Sequence, residues 1–141
     1  VAAGEPGATL TSPFPESPVS SVQPHPSPVA LVVDDEPGVR MCTADVLLDM
    51  GYEVVEAGSA EEALAELDRG LQPGLLVTDH LMPGMSGADL ARVVRTRLPH
   101  TAVIVVSGYT NVELDPPLVR LSKPFRLNDL RTCVESATAA R

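Results

Sequence analysis

VTDHLMPGMSG, residues 77 to 87, sets a carboxylate where an apolar run stops and the chain must turn. The run Leu75-Leu76-Val77-Thr78 is short and nearly all aliphatic, as a strand covered on both faces would be. Asp79 ends it, and Pro83-Gly84-Met85-Ser86-Gly87 supplies turn residues at once. Ser86 with Asp89 then opens a helix whose inward positions are Leu90, Ala91, Val94 and Leu98, with Pro99 as its stop. An acid at such a place either ends the strand or takes part in a reaction. The neighbouring segments decide between these.

The same grammar repeats along the chain. PVALVV (28–33) is an aliphatic run ending in Asp34-Asp35-Glu36, and Pro37 suits the first turn of a helix. That helix has an apolar stripe of Val39, Cys42, Val46, Leu47 and Met50, closed by Gly51. EVVEA (53–57) mixes charge with apolar residues, as an edge strand does. Ser59 with Glu62 has the spacing of a capping box, opening a helix through Ala63, Leu64 and Leu67 to Gly70. AVIVV (102–106) is a fourth strand, LVRL (118–121) a weaker fifth, and Leu127, Leu130, Val134 and Ala137 mark a last amphipathic helix. Strands alternating with helices imply right-handed crossovers and a parallel sheet covered on both faces. The aliphatic first, third and fourth strands belong in the centre and the charged second and fifth at the edges. The order 2-1-3-4-5 satisfies both conditions, a flavodoxin-like, doubly wound α/β fold.

Composition bounds what this fold can do. The chain has 141 residues and a formal charge of −9, from ten Lys and Arg against nineteen Asp and Glu. That balance argues against a nucleic-acid surface, which needs clustered cations. No apolar run approaches the roughly 20 residues of a membrane span, so no membrane contact is expected. Residues 1–28 hold seven of the fourteen prolines and only two charges, Glu5 and Glu16, and read as a Pro-rich disordered linker. The folded domain is expected over 29–141. Starting at Val1, the chain reads as a piece of a longer protein. Cys42 and Cys133 have no metal or redox spacing and are expected as small core residues of a reduced, cytoplasmic protein. His25, His80 and His100 are expected to face solvent.

Ligands of open α/β sheets gather beyond the carboxyl ends of the strands, at the switch point between strands one and three. Asp34 and Asp35 end strand one, Asp79 ends strand three, Ser107 ends strand four, and Lys123 follows strand five. Lys123 is the only lysine in the chain, so the compact ammonium stands out against nine arginines. Three carboxylates close together repel unless a cation sits among them. Oxygen ligands without His or Cys suit Mg²⁺. Carboxylates, Mg²⁺, an ammonium and a hydroxyl make a phosphoryl-transfer site, with Asp79 placed to accept the group.

LVVDDEP (31–37), VTDHLMPGMSG (77–87), VVSGY (105–109) and LSKPF (121–125) resemble, in order, the motifs of receiver domains of two-component signalling. The resemblance spans residues 29 to about 138 and is nearest the C-terminal receiver of hybrid histidine kinases. It implies a CheY-like fold and a phosphorelay function. Asp79 would be the phosphoacceptor, with Mg²⁺ held by Asp34, Asp35 (directly), Asp79 and the backbone carbonyl of Leu81. Ser107 and Lys123 would bind phosphoryl oxygens, and the Lys123-Pro124 bond would be cis. The implied partner is a histidine kinase or histidine phosphotransfer protein, and a homodimer is compatible with it. The domain would then be no enzyme toward an external substrate, although its own phosphoryl group would hydrolyse; its parent could be a hybrid histidine kinase.

Two departures from the family pattern bear on output. Arg120 stands where receivers usually carry Phe or Tyr, three residues before the lysine, which leaves Tyr109 and Arg120 as the candidate switch residues. Only GYTNVELDPP (108–117) joins strands four and five, with Pro116-Pro117 at its end. A helix of average length, about 11 residues, does not fit, so the family's fourth helix is expected shortened or absent. Two alternative functions are a receiver-like interaction module with a dead site and an aspartyl-phosphate phosphatase. The latter usually spaces two aspartates by one residue after the first strand, whereas Asp34 and Asp35 are adjacent.

Overall fold

The computed structural model describes residues 28–108 and 118–139. Its nine elements follow the expected alternation: β1 (Val29–Val33), α1 (Pro37–Asp49), β2 (Glu53–Ala57), α2 (Ala60–Asp68), β3 (Leu75–Asp79), α3 (Gly87–Arg97), β4 (Ala102–Ser107), β5 (Val119–Ser122) and α4 (Leu127–Ala139). The five strands form one sheet in the order β2-β1-β3-β4-β5. Every neighbouring pair is parallel. The aliphatic strands are central and the charged β2 and β5 are the edges, as their composition requires.

Strand alternation sorts the core into two layers. Leu31, Val33, Leu76, Val103 and Val105 face α2 and α3, packing with Ala60, Ala63, Leu90 and Val94. Ala30, Val32, Leu75, Val77, Ile104 and Val106 face α1 and α4, packing with Val46, Leu47, Leu130 and Val134. Each such aliphatic side chain contributes about 1.5–3 kcal/mol on full burial, so a core without tryptophan suffices. Two helix starts are capped as read. The Ser59 hydroxyl accepts from the Glu62 N–H at 3.1 Å, and the Ser86 hydroxyl from the Asp89 N–H at 3.1 Å. Glu62 returns its carboxylate to the N–H of Gly58, at 2.9 Å, one residue before the cap.

One helix face differs from expectation. Cys42 is exposed and Cys133 half-buried, so Cys42 is not a core residue. The buried residues of α1 are Thr43, Ala44, Val46 and Leu47. At about 100° per residue, an inward face containing Val39, Val46, Leu47 and Met50 centres on position 43. Thr43 therefore turns in and Cys42 turns away. The Pro-rich segment 1–27 and the segment 109–117, with the expectations for a disordered linker, a shortened helix between β4 and β5, and Tyr109, lie outside the described residues. Helix α4, which follows β5, is a full 13 residues.

Candidate functional site

The register aligns the site. Asp79 pairs with Val106, and Val106 with Leu121. Paired residues of a parallel sheet share a face, so Asp79 points to the side covered by α1 and α4. Lys123, two residues beyond Leu121, has the same parity. The Lys123 N–H donates to the Ser107 carbonyl at 2.9 Å, extending the β4–β5 ladder past its end. From there the Lys123 ammonium reaches Asp79 Oδ1 at 2.8 Å.

Asp34 is fixed through three atoms. Its N–H donates to the Ala57 carbonyl at 3.1 Å. Its carbonyl accepts from Arg40 Nη1 at 2.7 Å, and its Oδ1 accepts from the Glu36 N–H at 2.9 Å. Arg40 in turn pairs with Glu56 on β2 at 3.0 Å, which ties α1 to the sheet edge. Carboxylate oxygens of Asp34, Asp35 and Asp79 all lie within 4.8 Å of one another. Asp34 and Asp79 are buried, whereas Asp35 is exposed. Thr43 and Phe125 line a small cavity together with Asp34 and Asp79.

Burial is the main cause that pushes the Asp34 carboxyl above its ordinary pKa; Asp79 and Asp35 add to it, opposed by the Glu36 N–H and Lys123. For Lys123, burial works to lower the pKa. The hydrogen bond and charge of Asp79, with the charges of Asp34 and Glu36, outweigh burial and raise it. The lysine is therefore held as the cation. Three carboxylates against one ammonium leave two negative charges uncompensated. A divalent cation matches that excess, and an all-oxygen donor set suits a hard ion such as Mg²⁺.

The main chain around Asp79 is held just as closely. The His80 N–H donates to the Val106 carbonyl at 2.9 Å, continuing the sheet one residue past β3. The Thr78 hydroxyl donates to the Asp79 carbonyl at 3.0 Å. Gly87 closes the turn, its N–H donating to the His80 carbonyl at 2.9 Å. A Cβ on Gly87 would lie 2.0 Å from the Asp79 carbonyl oxygen, so a side chain is excluded there.

The family model for the response regulator receiver domain matches residues 30–135. The chain belongs to this family. Among relatives of this receiver, the sensor kinase CckA of Brucella abortus (strain 2308) is 38% identical over 116 residues, 77% of this chain but 12% of the kinase. The crystal structure of a receiver domain from the hybrid histidine kinase CckA matches with a TM-score of 0.68 at 33% identity, covering 78% of this chain and 98% of that one. A response regulator receiver protein from Sinorhizobium medicae WSM419 matches with a TM-score of 0.75 at 28% identity, covering 81% and 96%. The receiver thus spans a small part of the kinase and nearly all of the two crystallised domains.

In this receiver, Asp34, Asp35, Asp79 and Lys123 come together as their strand positions foretold. Ser107 is buried at the end of β4, with its carbonyl bonded to Lys123. Arg120, on β5, pairs with Val105 of β4, whose side chain faces α2 and α3, the side away from Asp79. Leu81 is 56% exposed on the turn after β3. The Lys123-Pro124 bond is cis. His100 is exposed, but His80 does not simply face solvent: it is half-buried, and its Nδ1 is buried without a hydrogen-bond partner. The cause is the turn, which keeps His80 in the ladder with β4. Sequence reading missed Arg40, Thr43, Thr78 and Gly87. Only Gly87 left a signal, as a glycine at the helix start directly after Ser86.

Proposed function

We propose that this receiver accepts a phosphoryl group on Asp79 from the phosphohistidine of a histidine kinase or histidine phosphotransfer protein, using Mg²⁺, and that its two states differ in partner affinity. The observation carrying this reading is the 2.8 Å pairing of Lys123 with Asp79, beside two further carboxylates at one end of the sheet. A buried carboxylate held by an ammonium and crowded by two acids is poised for a group that exchanges one set of charges for another.

An Asp79 carboxylate oxygen attacks phosphorus, and the bond from phosphorus to the imidazole nitrogen breaks. The imidazole keeps the electron pair and takes a proton from solvent. Lys123 follows the charge from the Asp79 oxygen to a phosphoryl oxygen, which its flexible stem permits. The Ser107 hydroxyl, at the end of the adjacent strand, donates to a second phosphoryl oxygen. Asp34, Asp35, Asp79 and the Leu81 carbonyl would hold Mg²⁺, which would supply neutralising charge for the phosphoryl oxygens.

The domain would act as a switch and carry out no chemistry on an external substrate. The likeness to the receiver of the hybrid histidine kinase CckA supports such a kinase as the parent, and a cytoplasmic setting suits such donors. No described helix is long and apolar enough to cross a membrane. Treatment with acetyl phosphate and Mg²⁺, followed by intact-mass measurement, tests the proposal. One added phosphoryl group is expected, lost with chelator and in Asp79→Asn. Equal labelling without Mg²⁺ or in Asp79→Asn would overturn it.

A further inference from the structure

Residues 80–86 turn the chain from β3 into α3 and carry Leu81. The near side of this turn is held by the sheet through His80 and by Gly87. Met82 anchors its middle in the core. On the far side, Pro83 and Gly84 are exposed, and Met85 is half-buried. A side chain from a distant element reaches it there. Glu61, in the first turn of α2, accepts from the Met85 N–H through Oε2 at 3.2 Å.

The turn is shaped for that carboxylate. Gly84 has φ +83°, a conformation side chains disfavour. A Cβ there would also lie 3.0 and 3.3 Å from the two Glu61 oxygens. Glu61 is not occupied with its own helix, because Ser59 and Glu62 already cap α2. Nor is its base loose: Ala60 and Ala63, both fully buried, seat this end of α2 on the sheet. Two adjacent acids thus divide the work, Glu62 capping locally and Glu61 reaching 24 residues along the chain.

We propose that Glu61 is a positioning residue for the metal site: by holding Met85 it fixes the turn that presents the Leu81 carbonyl. This rests on the Mg²⁺ reading given above. Mg²⁺ demands near-ideal octahedral geometry. A carbonyl on a turn that must be ordered during binding gives up affinity to that ordering, whereas a pre-held turn does not. Glu61 meets the turn at the Met85 N–H, so its positioning effect passes through the backbone.

The test is direct Mg²⁺ titration by calorimetry on the full chain, with amide hydrogen exchange of the metal-free proteins. Glu61→Ala should weaken Mg²⁺ binding about three- to tenfold, the range expected for one hydrogen bond, and should speed exchange at Met85. Glu61→Gln keeps a carbonyl oxygen but not the charge, and should bind Mg²⁺ within about twofold of wild type. Loss in Glu61→Gln equal to that in Glu61→Ala would overturn the proposal, because charge attraction would then be the cause. Unchanged binding by Glu61→Ala would overturn it too, while leaving the metal site standing. Wild-type protein that takes up no Mg²⁺ would overturn both.

Discussion

Replacing Gly87 with alanine adds one methyl group at the tightest backbone contact of the turn after Asp79. The new Cβ would meet the Asp79 carbonyl oxygen at 2.0 Å, the Asp79 carbonyl carbon at 2.8 Å and the His80 Cα at 2.9 Å. Ordinary contact begins near 3.4 Å, so the first of these is about 1.4 Å too short. All three atoms are backbone, so no rotamer change relieves the overlap. The chain must shift, and the natural loss is the Gly87 N–H bond to the His80 carbonyl, now 2.9 Å. Overpacking of this kind costs about 1–3 kcal/mol, and a lost internal hydrogen bond about 1 kcal/mol. Alanine's better helix propensity returns up to about 1 kcal/mol. The net is about 1–3 kcal/mol, a large share of a typical stability of about 5–15 kcal/mol. At about 4 °C per kcal/mol for a domain of this size, the melting midpoint falls by about 4–12 °C. Urea melts followed by far-ultraviolet circular dichroism would measure it. Gly38→Ala is the internal control: nothing lies within 4 Å of its Cβ position, so it should be neutral or slightly stabilising. Gly87→Ala within about 0.5 kcal/mol of wild type, or equal loss in Gly38→Ala, would refute the reasoning.

Lys123→Arg should still take phosphate from acetyl phosphate, because the charge survives, but the rigid guanidinium cannot track the phosphoryl oxygen in the ammonium's place; partner binding should then respond weakly to phosphorylation, and a wild-type response would show the lysine's shape to be immaterial. Asp34 has a raised pKa in the fold, so between its ordinary and its raised value the native state holds a proton the unfolded chain lacks. Stability therefore falls as pH rises through that window, and the penalty is full above the folded value. Asp34→Asn should be more stable than metal-free wild type near pH 7, with the gap closing as pH drops through the window, while Mg²⁺ binding is lost; denaturation at several pH values checks both. Leu81, 56% exposed on the turn beside the acceptor, should shield an acyl phosphate from water, giving a lifetime of hours rather than seconds in order of magnitude. Leu81→Asn should shorten it severalfold, and equal decay in the two proteins would remove Leu81 from the account.

The parts of this receiver governed by local period were legible in the sequence. Strands β1, β3 and β4 are aliphatic because both faces are covered, β2 and β5 carry charge because they are edges, and Ser59 and Ser86 cap the helices they precede. The grouping of the candidate site was legible for the same reason: Asp34, Asp35, Asp79 and Lys123 sit at strand ends, and a parallel sheet brings strand ends to one edge. What escaped depends on contacts between distant elements. Thr43 and Cys42 are neighbours on a helix, both small and weakly polar, and a rotation of one position exchanges their environments. Arg40 and Glu61 act on main-chain atoms of other elements, the Asp34 carbonyl and the Met85 N–H, and no hydropathy pattern encodes such a target. His80 looked like a surface histidine because an acid and a turn flank it, yet its place in the ladder buries Nδ1.

The central claim is that Asp79, and neither of its acidic neighbours, receives the phosphoryl group. Borohydride reduces an aspartyl phosphate to homoserine, marking the acceptor permanently. The protein should be treated with phosphodonor and Mg²⁺, reduced, digested and sequenced by tandem mass spectrometry. The account predicts homoserine at position 79, dependent on both Mg²⁺ and donor. Homoserine at position 34 or 35, or at no aspartate under conditions where label is incorporated, would contradict it.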